Sequence, residues 1–327
     1  MKVLVTGGAG FIGSHLADRL VAEGHDVVVL DNESTGRREN VPREARFIKG
    51  DVSRVEDLDE AFASGLDAVC HIAGQVSLIR SYTDAGIDLR TNVLGTLNVI
   101  QQCLKHQVSR LLYAGSMTAY GNTEVLPTPE DAPCEPVSYY GITKYAAERY
   151  VRTTAERPDL TFPFNVTCFR MYNVYGRRQS VDNPYQGVLG IFLGNVLRGE
   201  PITIYGDGKQ SRDFVYIDDI VDAWVSALGN PASYGRVLNL GSGRRLPIGE
   251  LARIVVEAVG GRGDYPIVYE ATRPGELRNV EADISRARDV LGWMPKVSFA
   301  DGLAETVRWA NSQMAASALP KSAGLSA

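Results

Sequence analysis

The sequence predicts an α/β fold, a doubly wound parallel sheet carrying a smaller α/β substrate-binding lobe. Three observations point to it. Strand-length apolar runs alternate with helical patterns as far as about Arg170, a glycine-rich turn follows the first run, and beyond Arg170 Gly- and Pro-containing loops separate single helices.

Each element has its own signal. "KVLV" reads as the first strand and "FIGSHLADRLVAEG" as the helix after it. "DVVVLD" and "ARFIKGD" are the next strands, with the helix "VEDLDEAFA" following. "DAVCHIAG" leads into a long segment ending near Lys105, and "SRLLYAGS" closes the series. That alternation of apolar strand-length runs with helical patterns implies a parallel sheet covered on both faces. We expect residues 1–172 to form this cofactor-binding domain, with a segment near 213–240 returning to it. Residues 173–312 would form the smaller lobe, including a helix over 247–259, and 313–327 a disordered tail.

Composition narrows the function. The 327 residues carry a formal charge of -5 without a long basic run, so no nucleic-acid footprint is expected and a small-molecule partner is favoured. Four cysteines stand far apart, with no CxxC pair and no histidine cluster, which argues against a metal site. The N-terminal apolar stretch is too short for a signal sequence and no span approaches a membrane helix, so a cytoplasmic, membrane-free protein is the expectation.

"VTGGAGFIGSHL" places Gly8, Gly10 and Gly13 in GxGxxG spacing between a strand and a helix. That pattern suits a tight turn, close backbone approach to a pyrophosphate, and free N–H groups at the helix start. Asp31 ends the second strand eighteen positions beyond Gly13, near the spacing of a carboxylate that accepts both ribose hydroxyls. A carboxylate there repels a 2'-phosphate, so NAD is favoured over NADP. Asp51, in "IKGDVS", would reach the adenine or cap a helix. His71 sits in an apolar strand with no evident partner and reads as a buried structural histidine.

In "SYYGITKYAAERYVRTTAE", Tyr140 and Lys144 stand four apart and share one helix face. An ammonium beside a phenol would lower the tyrosine pKa toward that of a general base. Tyr205 and Lys209 repeat the spacing in "YGDGK", but two glycines make that segment a loop.

At this point "TGGAGFIG", "YYGITK" and "AGSMTAYG" together resemble the extended short-chain dehydrogenase/reductases, particularly nucleotide-sugar epimerases of the UDP-glucose 4-epimerase type. The likeness covers roughly residues 1 to 312 and includes "RTNVLGTLNVI", "FRMYNVYGRRQ", "GEPITIYGDGKQSRDFVYIDDI" and "RPGELRNVEADISRARDVLGW", in the family's order. It implies a Rossmann domain in which Gly7, Gly10, Phe11, Ile12 and Gly13 hold the NAD pyrophosphate, Asp31 and Asn32 the adenosine ribose, and Asp51 and Val52 the adenine. Ala73 and Gly74 would pass under the cofactor and Asn92 would fix the active-site helix. Tyr140 would be the base, Lys144 would bind the nicotinamide ribose, Ser116 would hydrogen-bond the reacting sugar oxygen, and Thr118 would add a second sugar contact.

The same resemblance assigns a UDP-sugar's nucleotide to Asn173, Leu189, Tyr205, Arg212, Arg273 and Glu276. For Arg212 and Arg273 surface charge is the alternative, and for Tyr205 a half-buried turn aromatic. The family's dehydratases place Asp-Glu directly after the serine or threonine and its decarboxylases a glutamate; here those positions hold Met117 and Thr118. The resemblance therefore implies 4-epimerisation of a UDP-hexose through a 4-keto intermediate, with a UDP-glucuronate 4-epimerase or a lyase as alternatives. Arg177 and Arg178 would meet a uronate carboxylate or be ordinary surface charges. Val280, at the position that walls the sugar pocket, is small enough to admit N-acetylhexosamines. A homodimer would pair helices around residues 82 to 105 and 140 to 157.

Overall fold

The computed structural model describes residues 1–181, 187–273 and 275–318. Its main sheet has seven strands: β1 (Lys2–Thr6), β2 (Asp26–Asp31), β3 (Arg46–Lys49), β4 (Ala68–His71), β5 (Arg110–Ser116), β6 (Asn165–Met171) and a late strand, Arg236–Leu240. The order is late strand-β6-β5-β4-β1-β2-β3 and every pairing is parallel. Order reverses between β1 and β4, which opens a crevice at their carboxyl ends, where open α/β sheets bind ligands.

The apolar strands follow from the two-sided cover. Val3 and Val5 of β1 pack in one core with Leu16 and Leu20 of α1 (Phe11–Ala22). Leu4 points into the other with Leu58 of α2 (Val55–Phe62). The segment before Lys105 is less regular than one helix. It divides into α3 (Leu78–Thr83), α4 (Ala85–Asp88), a π-helical segment Leu89–Leu94, and α5 (Gly95–Lys105). The Asp84 carboxylate accepts from the Ile87 N–H to start α4, and the Thr96 hydroxyl donates to the Asn92 carbonyl at 2.6 Å beside the widened turn. Helix α6 (Tyr139–Ala155) packs alongside α5 and the π segment.

The remaining chain supplies β7 (Asn173–Tyr175), α7 (Val188–Arg198), β8 (Ile202–Tyr205), β9 (Ser211–Tyr216), α8 (Ile217–Leu228), β10 (the late strand of the main sheet), β11 (Arg245–Pro247), α9 (Ile248–Ala258), β12 (Ile267–Glu270), α10 (Ser285–Leu291) and α11 (Phe299–Ala318). Strands β11, β9 and β7 form one small sheet, and β12 and β8 another. Helix α11 corrects the disordered tail: it continues from Gln313 to Ala318, in a stretch whose alanines favour helix. The rest of that expected tail lies outside the described residues.

Candidate active site

The glycine loop is shaped by exclusion. Gly7 has φ +70°, and a Cβ there would lie 2.8 Å from the Ala73 backbone. A Cβ on Gly13 would strike the Gly7 carbonyl oxygen. Gly10 caps α1 without a side-chain hydrogen bond, and no acidic residue stands in the first turn, with Phe11 and Ile12 opening it. The helix start therefore offers unneutralised N–H groups to an anion.

Asp31 is buried, and burial holds its carboxyl above the usual carboxylate range against hydrogen bonds from backbone N–H groups. One oxygen accepts from Ala9 N–H at 3.0 Å and the other from Glu33 N–H at 2.7 Å. An ionised carboxylate has about four acceptor directions, so these bonds leave capacity for a diol hydroxyl. Asn32 donates to Asp51 at 2.8 Å, and the other Asp51 oxygen accepts from the Ser53 N–H and hydroxyl. Asp51 makes this local turn; the cap of α2 is Arg54. Val52 is buried against Gly95, and its carbonyl accepts from Asn98.

Across the crevice, Ala73 and Gly74 leave β4. Buried Asn92 accepts from Gln75 N–H at 2.8 Å and donates to the Gln75 carbonyl and to the Thr143 hydroxyl, both at 3.1 Å. It thereby joins the loop after β4 to α6, where Thr143 stands beside Lys144. The π segment that carries Asn92 fits the tendency of such widened turns to occur at functional sites.

Ser116 ends β5. Its oxygen accepts from the Thr118 N–H at 3.3 Å and the Thr118 hydroxyl at 2.9 Å, which leaves the Ser116 proton to donate elsewhere. Thr118 is thus turned onto Ser116. Met117 lies in a buried cluster with Tyr120, Tyr172, Leu277 and Val280, so the shelf packs against the segment that carries the nucleotide candidates.

Burial raises the half-buried Tyr140 phenol to about 12; Ser116 pulls it down by a hydrogen bond, and the Asp88 carboxylate opposes ionisation. This corrects the expectation that Lys144 lowers it. Among the described residues no hydrogen bond joins the two side chains, and the Lys144 ammonium lies 4.7 Å from the centre of the Tyr113 ring. Desolvation pushes Lys144 itself down to about 8, against the attraction of Glu148.

In the smaller lobe, Arg212 is buried rather than a surface charge. It donates to the Ser211 and Leu277 carbonyls at 2.7 and 2.8 Å and pairs with Glu276. Arg273 stacks on Tyr205, its guanidinium carbon 3.3 Å from the ring centre. Asn173 lies opposite Phe214 on the neighbouring strand, and its buried side-chain oxygen has no partner among the described residues. Leu189 buries its side chain in the first turn of α7, whose cap, Gly187, makes no side-chain hydrogen bond. Arg177 pairs with Glu305 and Asp218, and Arg178 with Asp18, so the chain's own carboxylates hold both candidates for a uronate. Among the described residues there is no His, Cys, Asp or Glu cluster able to hold a metal, and no helix is long and apolar enough to cross a membrane.

Residues 3–241 match the model of the "NAD dependent epimerase/dehydratase family". The chain belongs to this family. A curated relative, the UDP-glucose 4-epimerase of Mycolicibacterium smegmatis, is 38% identical over 94% of this chain and 98% of its own. The Thermotoga maritima UDP-glucose 4-epimerase solved with UDP-glucose superposes with a TM-score of 0.90 at 37% identity, over 96% of this chain and all of that one. The Thermus thermophilus UDP-glucose 4-epimerase solved with NAD gives 0.87 at 35% identity, over 94% of this chain and 98% of that one. The family's cofactor is NAD, and the uncapped α1 start, the closed glycine loop and the remaining acceptor capacity of Asp31 fit it. This epimerase/dehydratase chain is an NAD-dependent enzyme. Sequence reasoning missed Gln75, Asp88, Glu148 and Arg170 around its site; the contacts that join Gln75 to Asp88 and Glu148 to Arg170 span thirteen and twenty-two positions, which no local pattern marks.

Proposed function

We propose that this enzyme is a UDP-sugar 4-epimerase acting on a UDP-hexose. The observation that carries the reading is the shelf after β5: Ser116 beside Tyr140 and Lys144, with no carboxylate at the two following positions. Tyr140 takes the proton of the sugar 4-hydroxyl and later returns it, while Ser116 donates a hydrogen bond to the same oxygen. NAD, when bound against the glycine loop and Asp31, supplies the acceptor and donor of the hydride. Lys144, held down to about 8 by desolvation, binds the nicotinamide ribose in this reading, while the Ser116 hydrogen bond is what favours ionisation of the phenol.

Elimination or decarboxylation asks for a further acid or base. Met117 is apolar and Thr118 is engaged with Ser116, so the keto intermediate is left to reverse on its other face. Arg212, Glu276, Arg273, Tyr205, Asn173 and the backbone at Leu189 bind the nucleotide in this reading, with an arginine fork suited to a diphosphate. Purified protein is incubated with UDP-glucose, UDP-N-acetylglucosamine and UDP-glucuronate in turn. Appearance of a 4-epimer supports the reading, and none from any of the three refutes it.

The active unit in this reading is a homodimer in the cytoplasm. Leu89 and Leu94 of the π segment and Ile142 and Tyr150 of α6 are all exposed on elements that pack side by side. A patch of that kind suits a second copy of the same surface.

A further inference from the structure

Arg170 and Glu148 form a pair that the chemistry above does not use. Both side chains are almost wholly buried, at 2% and 1% exposure, and the guanidinium grips the carboxylate through two bonds of 2.9 and 2.7 Å. Glu148 stands one helical turn beyond Lys144 and two beyond Tyr140, on the inward face of α6. Arg170 stands on β6 directly beside Gly115, the residue before Ser116. A Cβ on Gly115 would lie 2.8 Å from the Phe169 carbonyl oxygen and 3.5 Å from a Glu148 oxygen, so the strand end leaves the carboxylate its space.

The same guanidinium reaches the shelf. Its carbon lies 4.6 Å from the centre of the Tyr120 ring, just past Met117 and Thr118, and it donates to the Glu130 carbonyl at 3.1 Å. Tyr120 in turn donates to Asn239 at 2.7 Å, on β10. One buried cation therefore touches the elements that carry Ser116 on one side and Tyr140 with Lys144 on the other. Bidentate pairs fix distance and orientation together.

We propose that Arg170 and Glu148 are positioning residues that clamp α6 to the end of β5, setting the approach of Tyr140 and Lys144 to Ser116. This rests on the epimerase reading. The pair also sets local charge. The titratable or charged groups around Lys144 are Glu148 and Tyr140 on its own helix, Tyr113 on β5, Cys168 on β6 and His71 on β4. Of these Glu148 is the acid that favours the ammonium.

The test uses the full-length enzyme with its NAD, and compares Glu148→Gln with Arg170→Lys. Glu148→Gln is expected to lower kcat about tenfold or more while KM and NAD content stay near wild type, as for a loss felt only when the reacting groups must align. Its alkaline limb of the pH–rate profile should move to lower pH, because Lys144 has lost its carboxylate neighbour. Arg170→Lys keeps the charge and loses the fork, so kcat should fall with the limb unmoved. Thermal melts show whether each variant is folded. Folded variants with wild-type kcat and an unmoved limb overturn the clamp, as does lowered melting with kcat per folded molecule retained. Should the wild type epimerise none of the UDP-sugars, the epimerase reading falls. The clamp is then judged by NMR titration of lysine-labelled protein, where an unchanged Lys144 pKa in Glu148→Gln overturns it.

Discussion

Acid should weaken this fold through His71, and the size of the effect follows from its surroundings. The ring is buried between two hydroxyls, with Nδ1 2.7 Å from Thr6 Oγ1 and Nε2 3.0 Å from Thr96 Oγ1. Thr96 gives its proton to the Asn92 carbonyl, so it can only accept from Nε2–H. Nδ1 is then the acceptor of the Thr6 proton, and the ring is held neutral. Burial, with a smaller contribution from Lys144, pushes its pKa from 6.5 down to about 3. A folded-state pKa below the unfolded one means that the unfolded chain binds more protons between the two values. The contribution is therefore complete above the unfolded pKa and is lost as pH falls toward 3. Between pH 7 and 5 the linkage relation gives a loss of about 2 kcal/mol from this residue. The assay is urea unfolding of wild type and His71→Gln across that range. The amide keeps a donor and an acceptor but does not titrate, so wild type should lose about 2 kcal/mol more than the variant. Equal losses would refute the neutral-ring argument. His15, lowered to about 4 mainly by burial, works in the same direction and is common to both proteins.

Other perturbations test the site. Tyr140→Phe should lower UDP-sugar turnover by roughly a hundredfold or more while leaving binding measured by calorimetry nearly intact, since only the proton-transferring oxygen is removed. Equal turnover would discredit the base. Gly13→Ala forces a methyl group onto the Gly7 carbonyl oxygen, and loss of copurifying NAD should exceed any loss of melting temperature. Val280→Tyr inserts a ring beside Met117 and should reduce turnover of UDP-N-acetylglucosamine more than that of UDP-glucose. An unchanged ratio removes Val280 from the sugar wall.

The sheet was legible because its strands are buried on both faces, which leaves unbroken apolar runs such as Val27 to Leu30. The glycine loop and the Tyr140–Lys144 spacing were legible because their constraints are local. What the sequence hid depends on distant partners or on burial. Spacing places Lys144 near Tyr140, yet the phenol's pKa is governed by desolvation, which sequence spacing does not report. For Arg212 the sequence leaves a surface charge open beside the nucleotide contact, and only the fold, which brings Glu276 and the Leu277 carbonyl onto it, shows the side chain to be buried. His71 reads from its apolar strand as a buried histidine with no evident partner, because the hydroxyls that hold it, Thr6 and Thr96, come from two other elements.

The absence of carboxylates after Ser116 is itself held in place by packing, and this bears on whether the reaction can be redirected. Met117 belongs to the apolar cluster that includes Val280 and Tyr172. A glutamate placed there would have to bury its charge, and desolvation would keep it protonated rather than leave a base for elimination. Met117→Glu should thus destabilise the junction between shelf and smaller lobe by about 1–3 kcal/mol without producing a dehydrated UDP-sugar. Thr118→Glu fails for another reason: it removes the hydroxyl that donates to Ser116, freeing that oxygen to orient its proton away from the sugar. Mass spectrometry of UDP-glucose incubations reads both variants, the dehydrated product lying one water lighter than the substrate. If either substitution alone yields that product at a rate comparable with wild-type epimerisation, the packing around Met117 and Thr118 does not determine the outcome.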